Sequence, residues 1–247
     1  METQYRRIYS PALGRDMELK LYGHAGRPVL YVPCQDGRFY DFENFKMTDA
    51  WAPWLERGLV TVCAVDTLDR ETWSDQGGDP AWRIRRHEQW MDHLFHEVAP
   101  MLLWERPAEQ GIIAFGCSLG ATHAANLFFR RPDLFGGCLC LSGVYDSDFF
   151  FDGYMDETLY MNSPERYMPS LDPGHYYVDL YNQRKIIVCI GQGAWEDGLG
   201  SQRFLDTVFK EKGIQAWFDY WGYDVNHDWP WWKLQMRYFL PYLLGDM

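Results

Sequence analysis

The 247-residue sequence contains no stretch approaching the roughly 20 apolar residues that a bilayer-spanning helix requires. Its first ten residues, METQYRRIYS, hold no continuous apolar core of the signal-peptide kind. These absences lead us to expect a soluble, cytoplasmic protein with no membrane partner. Positive charge is scarce as well: 23 Lys and Arg stand against 35 Asp and Glu, a net charge of −12. A field of that sign repels phosphate backbones, so no nucleic acid partner is expected. The six cysteines (34, 63, 117, 138, 140 and 189) show no C-x-x-C spacing. Nearly all lie in apolar runs, where a reduced cysteine packs as a small hydrophobe. No repeat, low-complexity tract or Gly/Pro/Ser-rich linker interrupts the chain, whose length suits one hydrophobic core. The expectation is a single domain over residues 1–247.

What is present is alternation. Apolar runs bounded by turn residues recur at 28–34, 59–66, 111–117, 137–143, 185–193 and 214–221. Most are apolar on both faces, as strands of a buried parallel sheet should be. Helix-like segments separate them near 44–57, 81–104, 119–131, 201–212 and 230–244. This order predicts an α/β fold, with a mostly parallel central sheet flanked by helices. MELKLYGH (17–24) alternates more and is read as an antiparallel edge strand. Residues 144–181 show no clear period but carry ten Tyr or Phe. So long and aromatic a segment reads as an insertion packed over one end of the sheet.

GIIAFGCSLGATHAANL (111–127) runs from a strand pattern through Gly116-Cys117-Ser118-Leu119-Gly120 into a helix pattern. G-x-S-x-G between strand and helix places a serine on a sharp turn at the sheet's carboxyl edge, the geometry of a nucleophile elbow. A serine hydroxyl is a weak nucleophile and needs a base within hydrogen-bond reach. Triads on such elbows run in the order Ser, acid, His. His227, between the last strand pattern and the final helix, fits the base, and His175 in the insertion is its rival. His123 lies within the helix after Ser118 and is expected to point elsewhere. His87, His93 and His96, in RRHEQWMDHLFHE, read as a solvated helix face and not as a metal site. The acid belongs just past KIIVCIGQG, where Glu196 and Asp197 both stand. The oxyanion hole would take the Leu119 N–H and a second from PCQDGRFYDFEN (33–44), from Gln35 or alternatively Cys34. Side chains of Asp36 and Arg38 are placed toward substrate. So is Trp73, which shares the 66–80 loop with Asp69, and so are Phe149 and Tyr154 in the insertion and Trp229 beside the base. Asp146, Asp148 and Asp152 lack EF-hand spacing. No metal or cofactor is expected.

The chain resembles the α/β-hydrolase esterase family that includes esterase D, enterochelin esterases, feruloyl esterases and the antigen 85 mycolyltransferases. The resemblance rests on Gly116 to Gly120, on RRPDLFGGCLCLSG, on the Glu196 region and on His227-Asp228-Trp229-Pro230-Trp231-Trp232. It spans nearly the whole chain and departs from most relatives at PCQDGR, where they carry His-Gly or Asp-Gly-Leu. It implies an α/β-hydrolase fold, over whose catalytic edge the aromatic insertion would then lie, and a serine esterase acting through an acyl-enzyme. In the mycolyltransferases the acid is a glutamate followed by glycines, which suits Glu196; in other members it is an aspartate, which keeps Asp197 open. The substrate would be a small-molecule ester with a small or aromatic acyl group. An acyltransferase with the same triad and a noncatalytic binding protein are the alternatives, and a homo-oligomer is left open.

Overall fold

Residues buried on both faces of their strands define the centre of the computed structural model, which describes residues 1–245. The strands are Thr3–Ser10 (β1), Arg15–Tyr22 (β2), Arg27–Val32 (β3), Val60–Val65 (β4), Ile112–Cys117 (β5), Phe135–Leu141 (β6), Lys185–Ile190 (β7) and Trp217–Tyr220 (β8). They form one sheet in the order β1-β2-β4-β3-β5-β6-β7-β8. Pairings from β4 through β8 are parallel, and β1 and β2 are attached antiparallel. Every residue of β4, β5 and β6 is buried. Crossover helices on both faces require just such strands.

The helices are Asp41–Asn44 (α1), Met47–Leu55 (α2), Pro80–His93 (α3), Ala99–Glu105 (α4), Leu119–Arg130 (α5), Asp148–Phe151 (α6), Glu157–Met161 (α7), Pro164–Tyr167 (α8), Tyr176–Asn182 (α9), Leu199–Lys212 (α10) and Trp229–Leu244 (α11). A π-helical turn, Leu94–Val98, joins α3 to α4. Pro100, which has no N–H to continue the helical ladder, is the second residue after it. Alternate residues of the central strands serve opposite cores. Leu30 and Val32 of β3 pack with α3 and α5, while Val29 and Tyr31 pack with Trp51 of α2 and with Trp232 and Met236 of α11. The insertion folds into the short helices α6 to α9. Its Phe150, Phe151 and Leu159 join Trp73, Ile84 and Leu119 in a third cluster.

Two sequence expectations need correction. MELKLYGH is antiparallel as expected but is not the edge, because β1 pairs along its outer side. With its outer edge open, β1 leaves most of its residues exposed, which is why TQYRRIYS shows no apolar alternation. The α3 histidines do not form a solvated face: His87 and His93 are buried, and only His96 is exposed. Ile84, His87, Met91 and Leu94 recur at three- and four-residue spacing, so position 87 falls on the buried stripe.

Candidate active site

A single residue, Ser118, connects β5 to α5. Its backbone sits at φ 59° and ψ −134°, a conformation that L-residues rarely adopt. The turn is held by the Ser118 N–H, which donates to Leu141 O of β6 at 2.9 Å. The flanking glycines are required by contact. A Cβ on Gly116 would stand 2.1 Å from Gly120 O, and one on Gly120 would stand 2.3 Å from Pro33 O. The start of α5 therefore abuts the loop after β3. Burial pushes the neighbouring Cys117 thiol well above its usual range, so it stays protonated and is no rival to the serine.

His227 and Glu196 come from the loops after β8 and β7, which are laced together. Gly193 N–H donates to Val225 O, Ala194 N–H to Asn226 Oδ1 and His227 N–H to Ala194 O, at 2.9, 2.8 and 3.0 Å. Asp228 then caps α11 by accepting the Trp229 N–H. This lacing brings His227 Nε2 to 2.9 Å from Ser118 Oγ and Nδ1 to 3.2 Å from Glu196 Oε2. A carboxylate only accepts, so Nδ1 carries the proton and Nε2 is left to accept from the serine hydroxyl. Glu196 Oε1 accepts from Ser142 Oγ at 2.9 Å and from the Gly191 N–H at 3.2 Å. Trp232 Nε1–H donates to Ser142 Oγ and its ring meets His227 edge-on, centroids 4.9 Å apart. Trp195, with φ 66° and 80% exposed, turns the chain so that Glu196 faces inward and Asp197 outward.

The Leu119 N–H opens α5 and has no intrahelical acceptor. In the loop after β3, Gly37 N–H donates to Cys34 O at 2.8 Å and closes a turn, with Asp36 left-handed at φ 60°. Asp36 N–H donates to Asp69 Oδ2. Among the described residues, the Gln35 N–H and the Cys34 N–H have no acceptor.

The remaining expected residues are scattered. Arg38 donates to Asp66 and Glu18 and, with Asp36, lines a polar cleft of about 450 Å³. Trp73 is not placed toward substrate: its ring is fully buried, edge-on to His87, His123, Phe150 and Phe151. The apolar third cluster takes up the whole indole. Phe149 and Tyr154 line a separate cavity of about 480 Å³ with Gln76, Pro80 and Arg83, and no triad candidate lines it. Trp229 stacks flat on Phe45, 4.4 Å between centroids and 5° between planes. His175 accepts the Tyr177 N–H at the start of α9 and is not beside Ser118. The reading of the sequence missed Ser142, which nothing in LSG marks, and the partnership of His123 with Asp69, to which only the position of Asp69 in the 66–80 loop pointed.

No curated protein matches the chain in sequence. Solved structures match nearly its full length. The fluorophosphonate-binding serine hydrolase F of Staphylococcus aureus is 11% identical at a TM-score of 0.74, covering 98% of each chain. A ferulic acid esterase of the anaerobic fungus Anaeromyces mucronatus is 10% identical at 0.73, covering 99% of this chain and 91% of its own. An S-formylglutathione hydrolase of Agrobacterium tumefaciens is 12% identical at 0.71, covering 98% and 94%. At these identities the likeness is one of fold. The family model described as "Putative esterase" matches residues 10–243, which hold β2 through β8, the Ser118 turn and the loops of Glu196 and His227. The chain belongs to that esterase family and has its α/β-hydrolase fold.

Proposed function

We propose that the protein is a serine hydrolase of carboxylic esters, with Ser118 as nucleophile, His227 as base and Glu196 as orienting acid. The observation that carries this reading is the continuous path from Glu196 through His227 to Ser118 Oγ, at 3.2 and 2.9 Å. Ser118 Oγ adds to the acyl carbonyl as His227 Nε2 takes its proton, and Glu196 holds the imidazolium that results. The carbonyl oxygen becomes an anion facing the Leu119 and Gln35 N–H groups, reinforced by the positive end of α5. Collapse expels the alcohol, protonated by His227, and leaves an ester on Ser118. Water, deprotonated by the same imidazole, then releases the acid.

Small and aromatic acyl groups are the proposed substrates. Supporting this, Phe45 stacks on Trp229, and Trp229 meets Trp232, the ring that stands edge-on to His227. The test is labelling by a fluorophosphonate together with hydrolysis of p-nitrophenyl acetate and methyl ferulate. Labelling and turnover that vanish in Ser118→Ala support the reading, and turnover that persists there overturns it.

A further inference from the structure

A second carboxylate–histidine pair lies inside the molecule. His123 Nε2–H of α5 donates to Asp69 Oδ1 at 2.9 Å, with the two side chains 1% and 2% exposed. The imidazole is enclosed by Trp73, Trp90 and His87, at centroid distances of 5.4, 5.3 and 4.9 Å. The other oxygen, Asp69 Oδ2, accepts the Asp36 N–H at 3.3 Å. One carboxylate thus ties the helix that begins beside Ser118 to the turn that carries Gln35.

Other bonds join the same two loops. Gln35 Nε2 donates to Ser74 Oγ at 2.9 Å and Thr67 Oγ1 to Gly37 O at 3.1 Å. Asp69 is itself braced, its carbonyl accepting from the Thr72 and Ser74 N–H groups. The turn needs the help. A left-handed third residue suits Gly or Asn, and an aspartate there is strained. Were the Asp36 N–H free, the peptide between Gln35 and Asp36 could rotate to relieve that strain. The Gln35 N–H belongs to the neighbouring Cys34–Gln35 peptide, and its direction loosens as the whole turn, no longer anchored on Asp69, shifts.

We propose that Asp69, held by His123, is a positioning residue that locks the Cys34–Gly37 turn and so keeps the Gln35 N–H aimed at the oxygen anion formed at Ser118. This rests on the serine-esterase reading above. Loss of a group that acts only on the anion lowers kcat and leaves KM alone.

The test is p-nitrophenyl acetate hydrolysis, with kcat expressed per site that a fluorophosphonate labels at completion. Asp69→Ala should lower kcat about 10- to 100-fold with KM within about twofold, short of the ~10²–10³-fold loss for an oxyanion donor removed outright. Asp69→Asn keeps an acceptor for the Asp36 N–H and should return kcat to within about fivefold of wild type. Gln35→Pro deletes the N–H itself, and Pro is acceptable at the second position of such a turn. Adding Asp69→Ala to Gln35→Pro should then cost about twofold or less, because the two changes act through one group. A kcat per labelled site that is unchanged in Asp69→Ala or, should that variant not fold, equal losses in Asp69→Asn and Asp69→Ser, would overturn the positioning role while Ser118 kept its own. Hydrolysis unaffected by Ser118→Ala would overturn the esterase reading and this one together.

Discussion

Glu196–His227 and Asp69–His123 join the same functional groups at 3.2 and 2.9 Å, and they differ in what meets the rest of each pair. His227 keeps 21% of its side chain exposed and has the Ser118 hydroxyl at its far nitrogen. His123 is shut in by aromatic rings, and its partner's second oxygen is spent on a backbone N–H. The first pair can pass a proton to and from a reacting atom; the second can only hold two segments in register. What a carboxylate–histidine pair does is therefore set by access and by the group beyond the imidazole, and its separation says little.

Breaking each pair at its histidine should give the widest contrast. His227→Ala and Ser118→Ala are expected to lower kcat by at least about 10³-fold, since triad members act as a unit. His123→Ala should lose roughly tenfold, because the anion donor is loosened and not removed. The measurement is kcat for p-nitrophenyl acetate in protein whose circular dichroism matches wild type. Ser118→Ala retaining more than about a hundredth of wild-type kcat would end the assignment of the nucleophile.

The acids sharpen the contrast next. Glu196→Gln should cost about 10²- to 10⁴-fold in kcat, because an amide at Oε2 favours the wrong imidazole tautomer. Asp197→Asn, on an exposed side chain, should stay within about twofold. The opposite ranking would move the acid to Asp197.

How far the sequence foretold these pairs follows from how local each signal is. The elbow was legible because G-x-S-x-G sits between two periodic segments, and Gly116 is forced by a contact four residues away, although Gly120 is forced by the distant loop after β3. Glu196 and His227 were legible because chain order on this fold fixes where each must fall. Only the inward turn at Trp195 separates Glu196 from Asp197, and nothing in GAWEDG announces it. Ser142 with Glu196 and Asp69 with His123 are both contacts across 54 residues, invisible to any window. Trp73 shows the opposite error. A tryptophan in a loop at the catalytic edge suggests a substrate wall, yet the third apolar cluster had a larger claim on it.

That cluster divides the aromatic insertion into two testable halves. Phe150 and Phe151 are buried against Trp73, with the Arg83 guanidinium 4.3 Å above the Phe151 ring, while Phe149 is 53% exposed. Phe151→Ala should destabilise by about 3–5 kcal/mol in urea unfolding and leave the acetate-to-ferulate ratio of kcat/KM unchanged. Phe149→Ala, at a half-exposed position in a cavity that no triad candidate lines, should leave both Tm and that ratio close to wild type. Equal melting curves for Phe151→Ala and wild type would mean that the insertion is not load-sharing core.

The smallest expected effect belongs to His87, which completes the enclosure of His123. Its ring lies 4.9 Å from that of His123, and its Nε2 is buried without a hydrogen-bond partner. Burial, reinforced by His123 and Arg130, holds its pKa well below the usual imidazole range. In the folded protein it therefore stays neutral where the unfolded chain, near its ordinary pKa of about 6.5, takes up a proton. The unfolded state then binds more protons, so this group's contribution is intact above pH 6.5 and is lost as pH falls below it. The slope is at most about 1.4 kcal/mol per pH unit. His87→Phe fills the same space between Trp73 and Trp90 with nothing to protonate. Urea unfolding at pH 7, 6 and 5 should show the variant gaining on wild type by roughly 1 kcal/mol per unit below pH 6.5. Parallel stability curves would mean that His87 is protonated within the fold, and that the enclosure of His123 is less dry than the packing implies.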